Sequence, residues 1–399
     1  MISVNLSSKV YANHLTVQKD GDEYTIGDSE QSIYIRIPIE GVLAIELMDG
    51  INTLDEISNL LKKNHDVEVD IIDFVETLLE LNLIHKFNDE VLVALKASKN
   101  EGRIRKKVGR FFFNKFAVLI YLTSFIASVI IFAYNPNFLP SYQDYFIFNE
   151  SVGLSLLILF LISWSLTILH ESAHYFAAVS LGVPVNFKIS IRWFWMVIEA
   201  NMNSLWSIER KKRYLPFLAG MAWDSVILLL ALVFQYIYQQ DLLIVGYMRL
   251  IVLIQIYKFL WHLLIFFRTD LYYVLITITN SSNLLGQAVL YLKKIYSTSA
   301  RIEWSKLKQN EQAISRVFSF IYLIGIFSAI LLFSFFSIPG FLIAVSKAID
   351  NLANHSWQSL YFWDGTIVIV LAFFNLALWI VGAYNRSKEL KRETSIQNT

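Results

Sequence analysis

The chain has 399 residues, of which 55% are hydrophobic and only 17% charged, and it contains no cysteine. Soluble domains carry about 25% charged residues, so the composition argues against an ordinary soluble enzyme. It also excludes a disulfide framework, a thiol nucleophile and any cysteine-held metal site. The charge is divided along the chain. Residues 1–100 hold 8 basic and 18 acidic side chains, a net of −10, while the remainder holds 26 and 15, a net of +11. This predicts an acidic soluble domain over 1–100 and a membrane domain over 101–399. The first long apolar run starts near Ala117, so no N-terminal signal peptide is expected.

The soluble part reads as a small α+β unit. Tyr24-Thr25-Ile26 and Ile33-Tyr34-Ile35 have strand character. Pro38 precedes a helix carrying Val42, Leu43, Ile45 and Leu47, ended by Asp49-Gly50. Thr53-Leu54-Asp55-Glu56 fits a capping box, and Ile57, Leu60 and Leu61 continue with helical spacing. A third helix carries Ile71, Ile72, Phe74, Val75, Leu78 and Leu79. Leu83-Ile84 then leads into a final strand. Helices followed by a short strand suggest a winged-helix-like arrangement.

The stretch from Leu43 to Leu83 resembles the leader-peptide recognition element of ribosomal-peptide modification systems, typified by the small PQQ-biosynthesis peptide chaperone. The resemblance rests on Leu47-Met48-Asp49-Gly50, Thr53-Leu54-Asp55-Glu56-Ile57 and Phe74 to Leu83-Ile84. It implies capture of a precursor peptide as an added strand on a sheet edge. A winged-helix DNA-binding domain is the rival reading, but a net charge of −10 is a poor match for phosphate backbones. A purely structural role is the other alternative.

Six runs are long enough to span a hydrocarbon core of about 30 Å, near 116–134, 153–174, 214–237, 242–267, 316–345 and 365–384. The fifth contains Pro339-Gly340 and is expected to tilt, kink or break. Segments 101–115, 182–213, 268–315 and 385–399 hold 22 Lys and Arg, whereas the alternate segments 135–152, 238–241 and 346–364 hold one. The positive-inside rule then puts both termini and the soluble domain in the cytoplasm. The expected fold is therefore mainly α: a polytopic cell-membrane protein preceded by a small cytoplasmic α+β domain.

The strongest chemical signal is His170-Glu171-Ser172-Ala173-His174, at the end of the second run. The i, i+4 spacing puts both imidazoles on one helix face, where they can grip one zinc ion. Glu171 lies beside them as a candidate general base for a water activated by the metal. Two His and a Glu at the end of an apolar helix are costly unless they serve a purpose. Asp270, Asp224 and His262 are the candidates for a third ligand, and Asp224 and Lys258 are intramembrane charges.

The zinc motif in a membrane span is similar to that of the site-2 protease family of intramembrane metalloproteases. Ala177-Ala178-Val179-Ser180-Leu181-Gly182-Val183 is similar to the small-residue continuation of that family. The subfamily often termed peptide zinc metalloproteases has Asp-Gly-Tyr-Tyr where this chain has Asp270-Leu271-Tyr272-Tyr273, with Asn283-Leu284 following. The resemblance implies Asp270 as the third zinc ligand, beside His170 and His174. It departs at Leu271, where Gly is expected and positive φ is unfavourable, so a different local backbone is anticipated.

Val185 to Asn203 alternates apolar and polar residues around Trp193, Phe194 and Trp195. It reads either as strands beside the site or as an interfacial aromatic belt. Glu209-Arg210-Lys211-Lys212-Arg213 reads as a positive-inside anchor.

Two functions of different class follow. One is a zinc endopeptidase that cuts a ribosomally synthesised, modified precursor peptide captured by the N-terminal domain, with export as a coupled step and an exporter as a candidate partner. This resembles maturation proteases of epipeptide-type clusters. The other is a non-catalytic membrane protein that binds a peptide for export or immunity. The presence of Glu171 favours the enzyme. Nucleic acid is not an expected partner.

Overall fold

The structure is a computed structural model that describes residues 3–28, 31, 33–88, 90–93, 103–148, 151–192, 195–281 and 283–397. The N-terminal unit runs β1 (Lys9–Tyr11), β2 (Thr16–Asp20), β3 (Glu23–Asp28), β4 (Ile33–Ile37), α1 (Ile39–Leu47), β5 (Asp49–Thr53), α2 (Leu54–His65), α3 (Ile71–Glu80), β6 (Lys86–Phe87) and β7 (Glu90–Val91). Two antiparallel sheets form, in the orders β5-β1-β6-β7 and β2-β3-β4. Val10, Ile26, Ile45, Leu54, Ile57, Val75 and Leu78 make one buried core. The capping box is present: Glu56 N–H donates to Thr53 Oγ1 at 3.3 Å, and Thr53 N–H donates to the Glu56 carboxylate at 2.8 Å. The two expected strands and three expected helices are all there. Strands β1, β2 and β5 are additional, and the final strand is one arm of the β6–β7 hairpin.

The remainder is helical. In chain order it comprises α4 (Arg103–Phe112), α5 (Lys115–Tyr134), α6 (Val152–Ser180), the strands β8 (Asn186–Arg192) and β9 (Trp195–Asn201), α7 (Arg210–Ile237), α8 (Leu242–His262), α9 (Asp270–Thr279), α10 (Leu284–Lys293), α11 (Thr298–Lys306), α12 (Gln309–Leu332), α13 (Ile338–Asn354) and α14 (Leu360–Gln397). Six helical stretches among the described residues are long and apolar enough to cross a membrane: Lys115–Tyr134, Val152–Ser180, Arg210–Ile237, Leu242–His262, Gln309–Asn354 and Leu360–Lys388. They follow the six runs read from the sequence.

Two boundaries differ in ways that matter. The fourth stretch stops at His262, and a 3-10 turn over Ile265–Phe267 follows. Arg268 then takes a left-handed φ of +56°, which redirects the chain so that Asp270 opens α9. Positive φ therefore falls two residues before Asp270, and Leu271 sits in ordinary helix. The fifth stretch neither breaks nor ends at Pro339. It widens into a π turn over Phe333–Ser337 just ahead of the proline, whose ring nitrogen cannot donate to the preceding turn.

Large apolar side chains such as Phe116, Leu122, Ile324 and Phe373 face outwards, while Ser124, Ser128 and Ser155 are buried between helices. Small residues permit close helix contact. At Gly109 of α4 a Cβ would lie 2.5 Å from the Phe176 carbonyl of α6. The basic run Glu209–Arg213 is more than a surface anchor. Arg213 is buried and pairs with Asp20 of the N-terminal unit at 2.7 Å.

Candidate metal centre

Helix α6 extends about two turns beyond the expected end of its run, so His170 and His174 lie inside it rather than at its tip. Leu166, His170, Ala173, His174, Ala177 and Ala178 form its buried face. This three-to-four spacing is that of one helix side. Against it packs α7, where Gly220 faces His170. A Cβ at Gly220 would fall 2.3 Å from Cε1 and Nε2 of that ring, so the close approach needs glycine.

The outer nitrogens of the two rings are fixed. His170 Nδ1 faces Asp224 Oδ2 at 2.6 Å, and His174 Nδ1 faces the Pro216 carbonyl at 2.7 Å. Both acceptors sit on α7. A carboxylate and a carbonyl only accept, so each Nδ1 carries the proton and donates it. In the neutral ring each Nε2 is then left with a lone pair. The two Nε2 atoms are 3.2 Å apart. Asp270 Oδ2 lies 3.2 Å from the first and 3.1 Å from the second.

Three lone-pair atoms this close repel one another unless a cation lies among them. A tetrahedral ion with bonds of about 2.0–2.1 Å has ligand–ligand edges of about 3.3 Å. The observed triangle matches that size, and an N,N,O donor set with two backed imidazoles suits zinc. The residues present fit the ion.

Of the three candidates for third ligand, only Asp270 brings an oxygen to both Nε2 atoms. Asp224 stands on the far side of His170 and is engaged by Lys258 Nζ at 2.6 Å, which also donates to the Leu166 carbonyl. His262 stacks on His170 with ring centroids 5.0 Å apart, and its Nδ1 is 3.6 Å from Asp270 Oδ2. His170, Asp224 and His262 form a second group of ligand atoms within 4.8 Å of one another. The prior bonds of Asp224 make it a support for His170 rather than a free donor.

Glu171 lies beside the triangle. Its Oε2 accepts from the Ala200 N–H at 2.6 Å, so β9 holds the carboxylate. Strands β8 and β9 pair with each other from Asn186↔Asn201 to Arg192↔Trp195, as the alternation over 185–203 suggested. Trp193 and Phe194 lie outside the described residues. The outer side of β8 packs on α14, and Asn385 donates to the Ile189 carbonyl at 2.9 Å. β9 instead turns Met196, Val197 and Ile198 to a cavity of about 800 Å³ that also meets His170, Glu171, Lys258 and His262.

Sequence reasoning missed Gly220, the Pro216 carbonyl and the Ala200 N–H. The Ala219-Gly220 pair inside an apolar helix was the one available sign of close packing. Compared with protein-family models, curated proteins and solved structures, the chain matches none.

Proposed function

We propose that this chain is a membrane-embedded zinc endopeptidase in which His170, His174 and Asp270 hold the metal and Glu171 is the general base. The observation that carries this reading is the triangle of His170 Nε2, His174 Nε2 and Asp270 Oδ2 with sides of 3.1–3.2 Å. When bound, zinc supplies the Lewis acidity that makes water nucleophilic near neutral pH. Glu171 accepts the proton of that water and passes it to the departing amide nitrogen. Its bond to Ala200 holds one oxygen still and leaves the other for this exchange. Asp224 and the Pro216 carbonyl keep both imidazoles in the tautomer the metal requires.

The substrate is a ribosomally synthesised precursor peptide, bound in extended form. β9 supports this, because Met196, Val197 and Ile198 line the cavity beside Glu171, and a strand edge is a place where an extended peptide can be added. The N-terminal unit captures the precursor as a winged-helix-like recognition domain. Its order of α1, β5, α2, α3 and the β6–β7 hairpin supports that assignment. Both termini face the cytoplasm of a multi-pass cell-membrane protein, and release of product is coupled to an exporter.

The test begins with the zinc content of the detergent-purified chain beside His170→Ala, Asp270→Ala and Glu171→Gln. The expected result is about one zinc per chain, lost in the first two variants and kept in the third. Peptide hydrolysis should disappear in Glu171→Gln. Absence of zinc from the unaltered chain after zinc is supplied would overturn the reading. Retention of zinc by Asp270→Ala would move the third ligand to Asp224 or His262.

A further inference from the structure

The N-terminal unit is joined to the metal centre by a continuous set of polar contacts. Asp20, at the end of β2, is wholly buried, and its Oδ2 is shared by two guanidinium groups. Arg213 of α7 approaches at 2.7 Å and Arg36 of β4 at 3.3 Å. Arg213 is held in turn by the Leu205, Ile208 and Trp206 carbonyls. Arg36 reaches across to Asn280, donating to its backbone carbonyl at 3.0 Å and to its Oδ1 at 3.2 Å. The hairpin turn at Gly21 closes on the same side chain, where a Cβ would lie 2.8 Å from Asn280 Nδ2.

Asn280 caps the C-terminus of α9 with a left-handed φ of +54°. The first residue of α9 is Asp270. Ten helical residues make a rod of about 15 Å. One end of this rod carries the metal-facing carboxylate, and the other is gripped by the N-terminal unit. Arg210 of α7 grips the same end through the Thr277 and Ile278 carbonyls at 2.6 and 3.0 Å. Tyr273 stacks on Phe217 of α7 midway, with centroids 5.4 Å apart.

The geometry points to Arg36 as a positioning residue for Asp270: acting through α9, it couples the state of the N-terminal unit to the metal centre. This rests on the zinc reading of the site. The internal hydrogen bonds of a helix keep its ends in register, so a displacement at Asn280 is felt at Asp270. Arg36 lies on β4, an edge strand of its sheet. By thermodynamic reciprocity, zinc binding must tighten the dock.

Arg36→Ala is the informative variant, because Asp20 keeps Arg213 and no buried charge is orphaned. In the full-length chain in detergent, chelator competition should show zinc binding weakened about tenfold. A merely structural Arg36 would lower the unfolding midpoint of the zinc-free protein without changing zinc affinity. Arg36→Lys keeps the charge beside Asp20 but cannot fork onto Asn280, so its affinity should stay near that of the alanine variant. Zinc should also slow hydrogen exchange at the Asp20–Glu23 turn in the unaltered chain and fail to do so in Arg36→Ala. Asn280→Gly tolerates the positive φ and removes only the side-chain acceptor. It should weaken zinc in the same direction, and it decides the matter if Arg36→Ala does not fold. Unchanged affinity in these variants, with zinc bound normally by the unaltered chain, would overturn this inference alone. No zinc in the unaltered chain would overturn the site assignment and this inference together.

Discussion

The N-terminal unit and the helical remainder differ in the side chains they expose and in the polar groups they enclose. In the first, Val10, Ile26, Leu54 and Ile57 are fully enclosed and the charges, Asp20 apart, are exposed or partly exposed among the described residues. In the second, Phe116, Leu122, Ile324 and Phe373 are exposed, while Ser128, Ser155, Asp224, Gln255 and His174 are enclosed. Contact with water drives apolar residues inward. Beside lipid, apolar burial gives no net drive, so the interior is free to hold polar groups, and Ser128, Ser155, Asp224 and His174 each have a hydrogen-bond partner there. The lesson is that hydrophobicity locates the core of one half and the outer surface of the other.

Substitution can break that comparison, and the largest effect is expected in the water-facing core. Leu54→Ala should destabilise the N-terminal unit by about 2–5 kcal/mol, seen as faster hydrogen exchange across α2 and α3. Leu122→Ala in α5 should stay within about 0.5 kcal/mol. Equal losses at both sites would refute the contrast. Next in size is the polar interior. Asp224→Ala removes the acceptor for His170 Nδ1 and strands Lys258. Zinc affinity should fall about ten- to a hundredfold, measured by chelator competition; an unchanged affinity would make Asp224 purely a partner for Lys258. Thr53→Ala sharpens the picture locally by removing the cap of α2, at a cost of about 1 kcal/mol. Hydrogen exchange confined to the first turns of α2 would report it.

The smallest effect is titration of His14. Burial, aided by His85 and opposed by Asp28, holds its pKa below the ordinary 6.5. The unfolded chain then takes up a proton that the folded unit resists. Stability should be intact above pH 6.5 and decline as the pH falls below it. The readout is the unfolding midpoint followed from about pH 7.5 to 5, with His14→Gln expected to flatten the slope. A rise on acidification would contradict the sign.

Much of this was legible because the signals are local. The spans show as apolar runs, α2 as its capping box, and His170 and His174 as residues one helical turn apart. Other features have no local signature. β1 has three residues, and its register with Phe87 depends on chain closure across the whole unit. Asp20 and Arg213 are 193 residues apart, and nothing in a basic run next to a span tells a dock from an anchor. Gly220 is one of fifteen glycines, and only the ring of His170 opposite makes it irreplaceable. Asp270, although suggested by resemblance, is brought to the histidines by the turn over Ile265–Phe267 and Arg268, which hydropathy alone ran together with the fourth span.

The bonds that back His170 and His174 have a kinetic meaning too. A histidine free to rotate about two torsions must be frozen at the moment a metal arrives, and that entropy is subtracted from affinity. Here the Asp224 carboxylate and the Pro216 carbonyl have already stopped both rings. A metal held as proposed would therefore meet rings already set in place. Metal exchange should proceed as a simple entry and exit with no refolding of α6, and zinc lost to a chelator should return at a rate set by access through the cavity.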